Sequence, residues 1–451
     1  MPDVDPDSLE PGRTTVDHGV TARVKRSETW RSMFRHAQTD TPRGRALQSF
    51  SNVFLHVYPV KVPKRVLRMR YSLRLGFIAV VLFAILLVTG VYLMFVYTPS
   101  VGSAYGDMQH LKTGVGFGQL IRNVHRWSAH LMVLVVFLHL VRVFYAGAYK
   151  RPREFNWVIG VMLLLVTLAF SFTGYLLPWD QLSYWAVTVG TNLVRYVPLA
   201  GSKLQDLLIG GPQVGQTTLL RFYALHVAVL PLLLALMLTV HIWRVRKDGF
   251  AVERVSVGSF AEEATDRPNG DASPAAAAPM AQATPELYGG RVRLLGVVDR
   301  ESVTEAERPV DDTVFTWPHL LVRHVVVALG TAAVVLGLGV FFSAPLRGLA
   351  NPNVTPEPAK APWYFAGLQE LLSRFDPLVA GILIPTGAVL VLILLPYIDR
   401  NPDTRARHRK VAITIFSILL GIALILTVIG VFFRGPGWKF IAPWTHSYIE
   451  L

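Results

Sequence analysis

The chain has 451 residues, of which 52% are hydrophobic and only 16% are charged. This composition is too apolar for an ordinary soluble domain and is typical of an integral membrane protein. The chain contains no cysteine, which excludes disulfides, cysteine-ligated iron–sulfur clusters and thioether-linked cofactors within it. The net charge of +14 does not indicate nucleic-acid binding, because the Lys and Arg residues concentrate in alternate loops between apolar stretches.

Seven apolar stretches, called spans one to seven, are candidates for crossing about 30 Å of hydrocarbon. In chain order they are predicted at residues 75–97, 127–141, 155–177, 222–243, 325–346, 377–398 and 411–433. Span two has a short apolar core, and it extends past His125 and Arg142 if those side chains find partners. The predicted fold class is an all-α integral membrane protein, with a four-helix bundle from spans one to four followed by three C-terminal transmembrane helices.

Basic residues mark one side of the predicted membrane. They are dense in residues 1–74, in the loop with Lys150, Arg151 and Arg153, and in the segment DRNPDTRARHRK before span seven. The intervening loops are longer but sparse in positive charge. Cytoplasmic loops carry the excess of Lys and Arg, so we expect a cytoplasmic N-terminus and an outside C-terminus in a bacterial plasma membrane. Some of the basic surface could also bind anionic membrane lipid.

Composition divides the chain into four parts. Residues 1–74 are predicted to be a cytoplasmic tail, in which RALQSFSNVFLHVYP forms either a short interfacial helix or a plain loop. Residues 75–250 form the four-helix bundle. Residues 251–312 are rich in Pro, Ala, Asp and Glu without apolar periodicity, which predicts a disordered cytoplasmic linker. Residues 313–451 hold the last three spans.

Four histidines inside two apolar spans carry the main functional signal. His125 and His139 are 14 residues apart in span two, and His226 and His241 are 15 apart in span four. With a rise of 1.5 Å per residue, each pair lies near one helix face with about 21 Å between its members. Two such helices face to face would offer two stacked bis-imidazole sites for haem iron. Satisfied core histidines are the alternative, but ionisable residues in lipid are costly and usually functional.

Glycines repeat this spacing in the two other spans of the bundle. Gly76 and Gly90 in span one are 14 residues apart, as are Gly160 and Gly174 in span three. Glycine lets a bulky group approach the backbone, so these positions are predicted to clear space for two stacked macrocycles. Close helix–helix packing is the alternative, since glycine is common at membrane helix interfaces.

These residues, together with longer motifs, make the chain similar to the cytochrome b/b6 family of quinol-oxidising bc- and bf-type complexes. The motifs are HRWSAH, LHLVRVF, KRPREFNWVIG, FTGYLLPWDQLSYWAVTVGTNL and GQTTLLRFYALH. The likeness is strong over residues 50–250 and moderate over residues 313–433. The 15-residue histidine gap resembles the bf-type, and so does the break after span four, where the bf-type has a separate subunit. The resemblance implies a b6-like part and a subunit IV-like part fused in one chain.

The family resemblance implies two non-covalent b-type haems in a dihaem bundle. His125 and His226 would ligate haem bL nearer the outer face, and His139 and His241 would ligate haem bH nearer the cytoplasm. The predicted topology agrees, because spans two and four both enter the membrane from outside.

Three arginines flank these ligands in span two. Arg122, Arg126 and Arg142 could pair with haem propionates through charge-assisted hydrogen bonds. Positive anchoring at the membrane interface is the alternative. His130 lies about 140° around the helix from His125 and is not expected to be a ligand.

The family's quinol-oxidation pocket is built partly from the segment that follows span three on the outer side. Here that segment contains Pro178, Trp179, Asp180 and Gln181, followed by Tyr184 and Trp185 on a short helix. A proline-started amphipathic helix with aromatic residues could line a pocket for a flat quinone ring. Aromatic residues that merely mark the membrane interface are the alternative.

The opposite wall of that pocket carries a Pro-Glu-Trp-Tyr motif in the family, and this chain departs from it. The sequence Ala361-Pro362-Trp363-Tyr364 places proline at the glutamate position, where it can neither accept a proton nor hydrogen-bond the quinol. Glu370 is predicted to substitute as proton acceptor, with Asp376 and Glu357 as further candidates. A helix-surface carboxylate is the alternative for Glu370.

Relatives of the bf-type also carry a covalent haem on a cysteine at the start of span one. Alignment on Gly76 and Gly90 places Arg74 there, so no covalent haem is expected. A quinone-reduction site is expected on the cytoplasmic side near Arg246 and Lys247, where basic groups could supply protons or hold propionates. Ordinary positive-inside charge is the alternative.

The resemblance implies the core electron-transfer subunit of a quinol–cytochrome c reductase type oxidoreductase, which is not active alone. Quinol would be oxidised at the outer site, one electron passing to a Rieske-type iron–sulfur protein and the other through both haems to quinone, with proton translocation. A c-type cytochrome subunit and a homodimer of the complex are further expected partners. Two rival hypotheses are a dihaem membrane anchor of a dehydrogenase and a transporter with histidine proton relays.

Overall fold

The computed structural model describes residues 27, 57–69, 73–250, 313–356, 360–433 and 440. Most of the predicted cytoplasmic tail, the predicted linker 251–312 and the candidate Glu357 lie outside the described residues. Within the described ranges, seven helices are long and apolar enough to cross a membrane. They run Leu75–Met94, Gly118–Tyr145, Glu154–Leu176, Gln216–Asp248, Thr316–Phe341, Leu378–Ile398 and Lys410–Phe432. The predicted all-α class and the order of the seven spans are confirmed.

Three spans differ from their predicted bounds. Span four was predicted at 222–243 but runs Gln216–Asp248, because polar and charged residues extend the helix beyond its apolar stretch at both ends. Span two is much longer than its apolar core, because its polar residues are placed inside the protein rather than in lipid. Span five was predicted at 325–346 but runs Thr316–Phe341. The prediction looked for an uncharged apolar stretch and so began after Arg323 and His324, but both residues belong to the first turns of the helix. At its other end, the helix stops before Pro345.

Shorter elements connect the spans. The connecting helices are Ala104–Thr113, Gln181–Val194, Gly201–Ile209 and Trp363–Leu372. Single 3₁₀ turns occur at Lys64–Leu67 and Ala406–His408, and wider π-type turns occur at Leu225–Val229 in span four and Leu378–Leu383 in span six. Strands Lys61–Pro63 and Thr313–Phe315 pair antiparallel, which joins the start of the bundle to the start of span five.

The first four spans form a bundle, and the last three pack around it. Span one contacts span two, span two contacts span three, and span three contacts span four. Span five packs against spans one and two, span six against span three, and the 363–372 helix against span seven. The buried apolar side chains between spans one, two and five include Leu82, Met132 and Val335. The C-terminal helices therefore share a core with the bundle rather than forming a separate body.

The loops 95–117 and 177–215 and the described residues 342–356 and 360–377 lie together at one end of the bundle, called here the long-loop end. The loop after span three joins the loop after span five through backbone hydrogen bonds: the Gln181 N–H donates to the Gly348 carbonyl at 2.8 Å, and the Ala350 N–H donates to the Trp179 carbonyl at 3.2 Å. These bonds connect the first and second parts of the chain directly at this end.

The opposite end, called here the basic end, consists of residues 57–69, 73–74, 146–153 and 399–409. Its centre is Asp399, which accepts a hydrogen bond from the Tyr149 hydroxyl and lies 3.1 Å from Lys150 Nζ. The Arg409 guanidinium, 2% exposed, donates to the Tyr149 oxygen at 2.8 Å and to the Phe144 carbonyl at 3.2 Å. The loop after span two is thereby clamped to the loop before span seven.

Removing the charge of Asp399 should destabilise this clamp. Asp399→Asn would leave Lys150 and Arg409 buried beside no carboxylate, which typically costs about 3 kcal/mol. Thermal unfolding of the detergent-purified protein should show the loss. Asp403→Asn is the matched control, because Asp403 bonds only locally, to Arg405 and His408, and is more exposed. Equal melting temperatures for Asp399→Asn and the control would contradict the clamp.

In acid, wild type and Asp399→Asn should no longer differ in melting temperature. Burial alone would raise the pKa of Asp399, but hydrogen bonds from Tyr149 and Lys150 and the nearby positive charges hold it below its ordinary value of 3.8. A depressed pKa contributes stability above that ordinary value, and the contribution disappears as pH falls through the folded-state pKa. The gap in melting temperature between wild type and Asp399→Asn should therefore be full at neutral pH and close below about pH 3.8.

Candidate functional site

Two imidazoles from facing spans meet inside the bundle towards the long-loop end. The ring centres of His125 and His226 are 6.3 Å apart, with 67° between the ring planes. If each Nε2 were about 2 Å from one iron and each ring centre about 1 Å further, the centres would be about 6 Å apart. The observed separation therefore fits two axial ligands on opposite sides of one haem iron.

Threonines on the neighbouring spans determine which ring nitrogen of His125 and of His226 is available to bind a metal. The Thr89 hydroxyl donates to the Ile85 carbonyl at 2.7 Å, so its oxygen accepts from His125 Nδ1 at 2.9 Å. The Thr173 hydroxyl donates to the Ala169 carbonyl and likewise stands 3.2 Å from His226 Nδ1. A hydrogen held on Nδ1 leaves the Nε2 lone pair available to a metal, which is the usual arrangement for ligand histidines.

A π-type turn explains how unequal spacings match across the two ligand spans. His226 lies in the Leu225–Val229 turn, which takes in one residue more than an α-helical turn would. The wide turn takes up one extra residue. His226 and His241, which are 15 residues apart, therefore point in nearly the same direction around the helix axis as two residues 14 apart in a regular α-helix. Pro231 follows this turn and has no N–H to donate, which accounts for the local widening.

The second pair, His139 and His241, lies towards the basic end. The two imidazoles are within electrostatic range of each other, and Arg142 is within range of His139. The Nδ1 atom of His139 is buried and has no hydrogen-bond partner among the described residues. Both predicted histidine pairs are thus brought together, one pair near each end of the bundle.

Each of the four predicted glycines lies against one of the four imidazoles. A Cβ atom built on Gly76 would stand 3.2 Å from His139 Cε1, and one on Gly90 would stand 3.3 Å from His125 Cε1. On Gly174 it would come within 2.9 Å of His226 Nδ1, whereas on Gly160 it would keep 3.6 Å from His241 Cε1. The glycines therefore clear space for the histidine rings themselves, a closer contact than the predicted clearance for a macrocycle.

The donor set suits haem better than a bare metal ion. Within the described parts of the chain, no three or more His, Asp or Glu side chains are grouped to hold a metal ion. Two opposed imidazoles fit an iron whose other four ligands come from a porphyrin.

A cavity of about 250 Å³ opens beside the first histidine pair. Its walls come from spans one to four, the start of the long loop after span three and the 363–372 helix. The polar and functional side chains along it include His125, His226, Arg126, His130, Pro178 and Tyr364. The pocket therefore combines residues from both parts of the chain.

The predicted arginines occupy different environments. Arg122 donates to the carbonyls of Ala344 and Pro345, both at 2.8 Å, and so fastens the loop after span five to span two. Arg126 lines the cavity and makes no hydrogen bond or ion pair within the described residues. Arg142 and Arg246 lie in the last turns of spans two and four, at the basic end.

The segment after span three reaches the cavity at Leu177 and Pro178. Trp179 and Tyr184 are buried in an apolar cluster behind the wall. The predicted proline start of the next helix is wrong, since the helix begins at Gln181 and Asp180 is its N-cap. The Asp180 carboxylate accepts from the Ser183 N–H at 2.8 Å and from the Arg347 N–H at 3.1 Å. Two acceptor bonds thus give Asp180 a positioning role.

The Ala-Pro-Trp-Tyr segment begins the 363–372 helix, with Pro362 at its N-cap. Tyr364 lines the cavity, and the Trp363 indole N–H donates to His130 Nδ1 at 3.0 Å. Glu370 is fully buried and its Oε1 accepts from Arg374 at 2.7 Å, so the alternative of an exposed helix-surface carboxylate is wrong. Glu370 does not line the cavity.

His130 is the site residue that sequence reasoning missed. The position of His130 around the helix, about 140° from His125, argued against iron ligation, and the sequence analysis gave His130 no other role. The only sequence signal was a third histidine within the same apolar helix.

Comparison with known proteins finds one family in two stretches of the chain. Residues 60–249 match the family described as cytochrome b/b6/petB, and residues 349–448 match that described as cytochrome b (C-terminal)/b6/petD. The cytochrome b6 of Synechococcus sp. (strain WH7803) is 48% identical over 177 residues, and that of Prochlorococcus marinus (strain MIT 9211) is 49% identical over 177 residues. Each alignment covers 39% of this chain and 81% of the relative.

Among solved structures, a chain of a hyperthermophilic respiratory Complex III has a similar fold. The TM-score is 0.66 with 24% sequence identity, over 88% of this chain and 91% of that chain. This likeness covers most of the chain, whereas each alignment with the cytochrome b6 relatives covers 39% of it.

The double role of Asp180 can be tested by removing its carboxylate. Asp180→Ala should lose the helix cap and the bond to Arg347 together, which would cost about 2–3 kcal/mol. Asp376→Ala is the matched control, because the Asp376 carboxylate bonds only to the nearby Leu378 N–H. Hydrogen exchange should show faster amide exchange in residues 343–351 for Asp180→Ala alone. Unchanged exchange there would show that the carboxylate does not hold the loop.

Proposed function

Because this chain belongs to the cytochrome b/b6 family, we propose that it oxidises quinol at the long-loop end and delivers electrons through two b-type haems to quinone at the basic end. At the coarser level, it is a multi-pass membrane electron-transfer subunit of a quinol oxidoreductase, with b6-like and subunit IV-like parts in one chain. Membership of the family implies non-covalent b-type haem, and it excludes the dehydrogenase-anchor and transporter hypotheses.

The observation that carries the proposal is the facing pair His125 and His226. Their separation of 6.3 Å suits axial ligation, and the threonine contacts leave both Nε2 atoms free. His139 and His241 would hold the second haem in the same way. Bound haem supplies one-electron transfer at a potential that the axial ligands and their hydrogen bonds adjust.

The arginines would neutralise the haem propionates. Arg126 is the strongest candidate, because it lines the cavity without a partner in the described residues. Arg122 also lines the cavity, although two backbone carbonyls already occupy its guanidinium. Arg142 and Arg246 are placed to serve the haem at the basic end.

The first haem would take the part of the cavity between His125 and His226, and quinol would enter the part that lies towards Pro178 and Tyr364. Pro178 and Tyr364 would contact the ring, while Trp179, Asp180 and Tyr184 would hold the wall in shape from behind. Trp363 and Glu370 belong to the same short helix but do not line the cavity themselves, although the Trp363 indole contacts the lining residue His130. A flat ring between apolar and aromatic side chains is the usual form of a small-molecule site.

The charge distribution supports the sidedness of this proposal. The basic end carries an excess of Lys and Arg, as cytoplasmic loops do, which favours an outside position for the long-loop end in a bacterial plasma membrane. Quinol oxidation there would release protons outside, and quinone reduction at the basic end near Arg246 would take protons up inside. Opposite placement of the two sites would thus translocate protons.

The proposed partners follow from what this chain lacks. It has no cysteine to hold an iron–sulfur cluster, so a Rieske-type protein would take the first electron and pass it to a c-type cytochrome. The family relationship favours a homodimer of the complex in membrane lipid. We assign no nucleic-acid partner.

The proposal is tested on the purified complex. The pyridine haemochrome assay should give two b-type haems per copy of this chain. After acid-acetone extraction and separation of the subunits, this chain should retain no haem, whereas a c-type subunit would keep its own. Quinol should reduce both haems, and an inhibitor that occupies the long-loop cavity should block the reduction. A complex with two haems that quinol cannot reduce would overturn the quinol-oxidising function.

The glycine contacts predict unequal effects of two alanine substitutions. Gly174→Ala should displace the His226 ring and lower the haem content to about one per chain, since the added Cβ meets two ring nitrogens within 3.1 Å. Gly160→Ala should keep both haems, because its Cβ would stay 3.6 Å from His241. Haem-to-protein ratios measure the outcome, and equal ratios in the two variants would contradict the glycine assignment.

The threonine contact predicts a change of redox potential. Thr89→Val keeps the side-chain shape but removes the acceptor for His125 Nδ1, which makes the imidazole a weaker electron donor to iron. The midpoint potential of one haem should rise, by up to about 60 mV for a tenfold change in redox preference. Thr331→Val is the matched control, because its hydroxyl bonds only to the Val327 carbonyl. Redox titration should show a shift in Thr89→Val alone, so an unshifted potential would contradict the role of Thr89.

A further inference from the structure

We propose that His130 accepts a proton from quinol in the cavity, in place of the carboxylate that is missing at Pro362. This inference rests on the proposed quinol-oxidising function and assigns one chemical step of it to a residue. The residues that line the cavity limit which groups could accept the quinol proton. No Asp or Glu side chain lines it within the described residues. Apart from histidines, its titratable lining groups are Arg122, Arg126 and four tyrosines, none of which is a base at neutral pH.

Of the three histidines that line the cavity, only His130 is free for this role. His125 and His226 face each other across the proposed iron site. His130 is five residues further along span two, about 7.5 Å along the helix axis and about 140° around it. Its imidazole therefore cannot compete for the same iron, yet it opens on the same cavity.

The contacts of His130 define which nitrogen would act. Nδ1 accepts the Trp363 indole hydrogen at 3.0 Å, so in the neutral ring Nε2 carries the hydrogen and Nδ1 carries the lone pair. Trp363 directly follows Pro362, so this lone pair points to the segment that lacks the glutamate. The ring is enclosed by Trp127 at 5.6 Å and Tyr364 at 5.8 Å, measured between ring centres.

The proton step balances without a further reactant. A quinol hydroxyl would displace the Trp363 indole as hydrogen-bond donor to Nδ1. On oxidation the O–H bond breaks, its proton forms a new N–H bond at Nδ1, and its electron pair stays on the quinol oxygen. The one-electron acceptors of the complex withdraw electrons from there. The resulting imidazolium then gives its Nε2 proton to water at the long-loop end. Exchange with water afterwards moves the remaining hydrogen from Nδ1 back to Nε2, so that Nδ1 can accept the next quinol proton.

Nearby charge would favour that release. The charged or titratable groups facing His130 are Arg126 on its own helix and Tyr364 on the facing helix. Arg126 repels the imidazolium, which shortens the lifetime of the protonated ring. A proton taken from quinol would therefore be passed on rather than stored.

The test uses the whole complex with His130→Asn. The asparagine oxygen can still accept the Trp363 hydrogen bond but cannot take a proton. We expect kcat for quinol oxidation to fall about 100-fold, with KM changed less than threefold and both haems retained. His319→Asn is the matched control, since His319 is an exposed histidine at the other end of the molecule, and it should keep wild-type kcat. Wild-type kcat in a fully haem-loaded His130→Asn complex would overturn the proposal.

Two variants at position 362 separate proton transfer from a structural role. The double variant Pro362→Glu with His130→Asn should regain at least tenfold in kcat, because it restores a proton acceptor two residues before the lining residue Tyr364. Pro362→Glu alone leaves His130 intact and should move the acidic limb of the pH–rate profile to lower pH, because a carboxylate titrates below an imidazole. No recovery in the double variant, or an unmoved limb in the single variant, would overturn the proposal.

Measurements on the wild-type complex separate a failure of the proposed quinol-oxidising function from a failure of the role proposed for His130. If quinol does not reduce the haems of the wild-type complex, the proposed function itself fails. If quinol reduces them normally and His130→Asn behaves like wild type, the quinol site stands and only the role of His130 fails.

Discussion

A polar group that this chain carries into the hydrocarbon is costly unless it finds a partner within the protein, since lipid offers none. The four imidazoles of spans two and four are the severest case. Threonines on spans one and three hold Nδ1 of the two rings nearer the long-loop end, and glycines on the same spans make room for all four rings. Spans one and three therefore act as supports for the histidine spans, and the order of the bundle follows from that division.

The same constraint joins the two parts of the chain. The side chains of Arg122 and Asn123 on span two form hydrogen bonds with backbone groups of residues 339–345. At the other end, Arg409 is enclosed by Tyr149 and Phe144 and balanced by Asp399. Each end of the molecule is thus closed by polar bonds that link the bundle to the last three spans. The cavity depends on this closure, because Tyr364 comes from the second part and His130 from the first.

Particular residues show how far sequence reasoning reaches. The seven spans, the two histidine pairs and the glycines opposite them could all be predicted, because each depends on spacing along a single helix. The bounds of span five were missed because charged residues in its first turns are accommodated by the protein. Asp180 was expected in the pocket wall, but its carboxylate is used by Ser183 and Arg347, and Arg347 is 167 residues away along the chain.

The sequence by itself determined the number and order of the membrane spans, the ligand type and the absence of a glutamate at position 362, because hydropathy and helical period are local properties of the chain. Only the tertiary structure decided that a π-type turn brings unequal histidine gaps into phase, and that the Trp363 indole meets His130 across 233 residues. Contacts between distant segments depend on how several helices pack at once, and no periodicity within one helix encodes them.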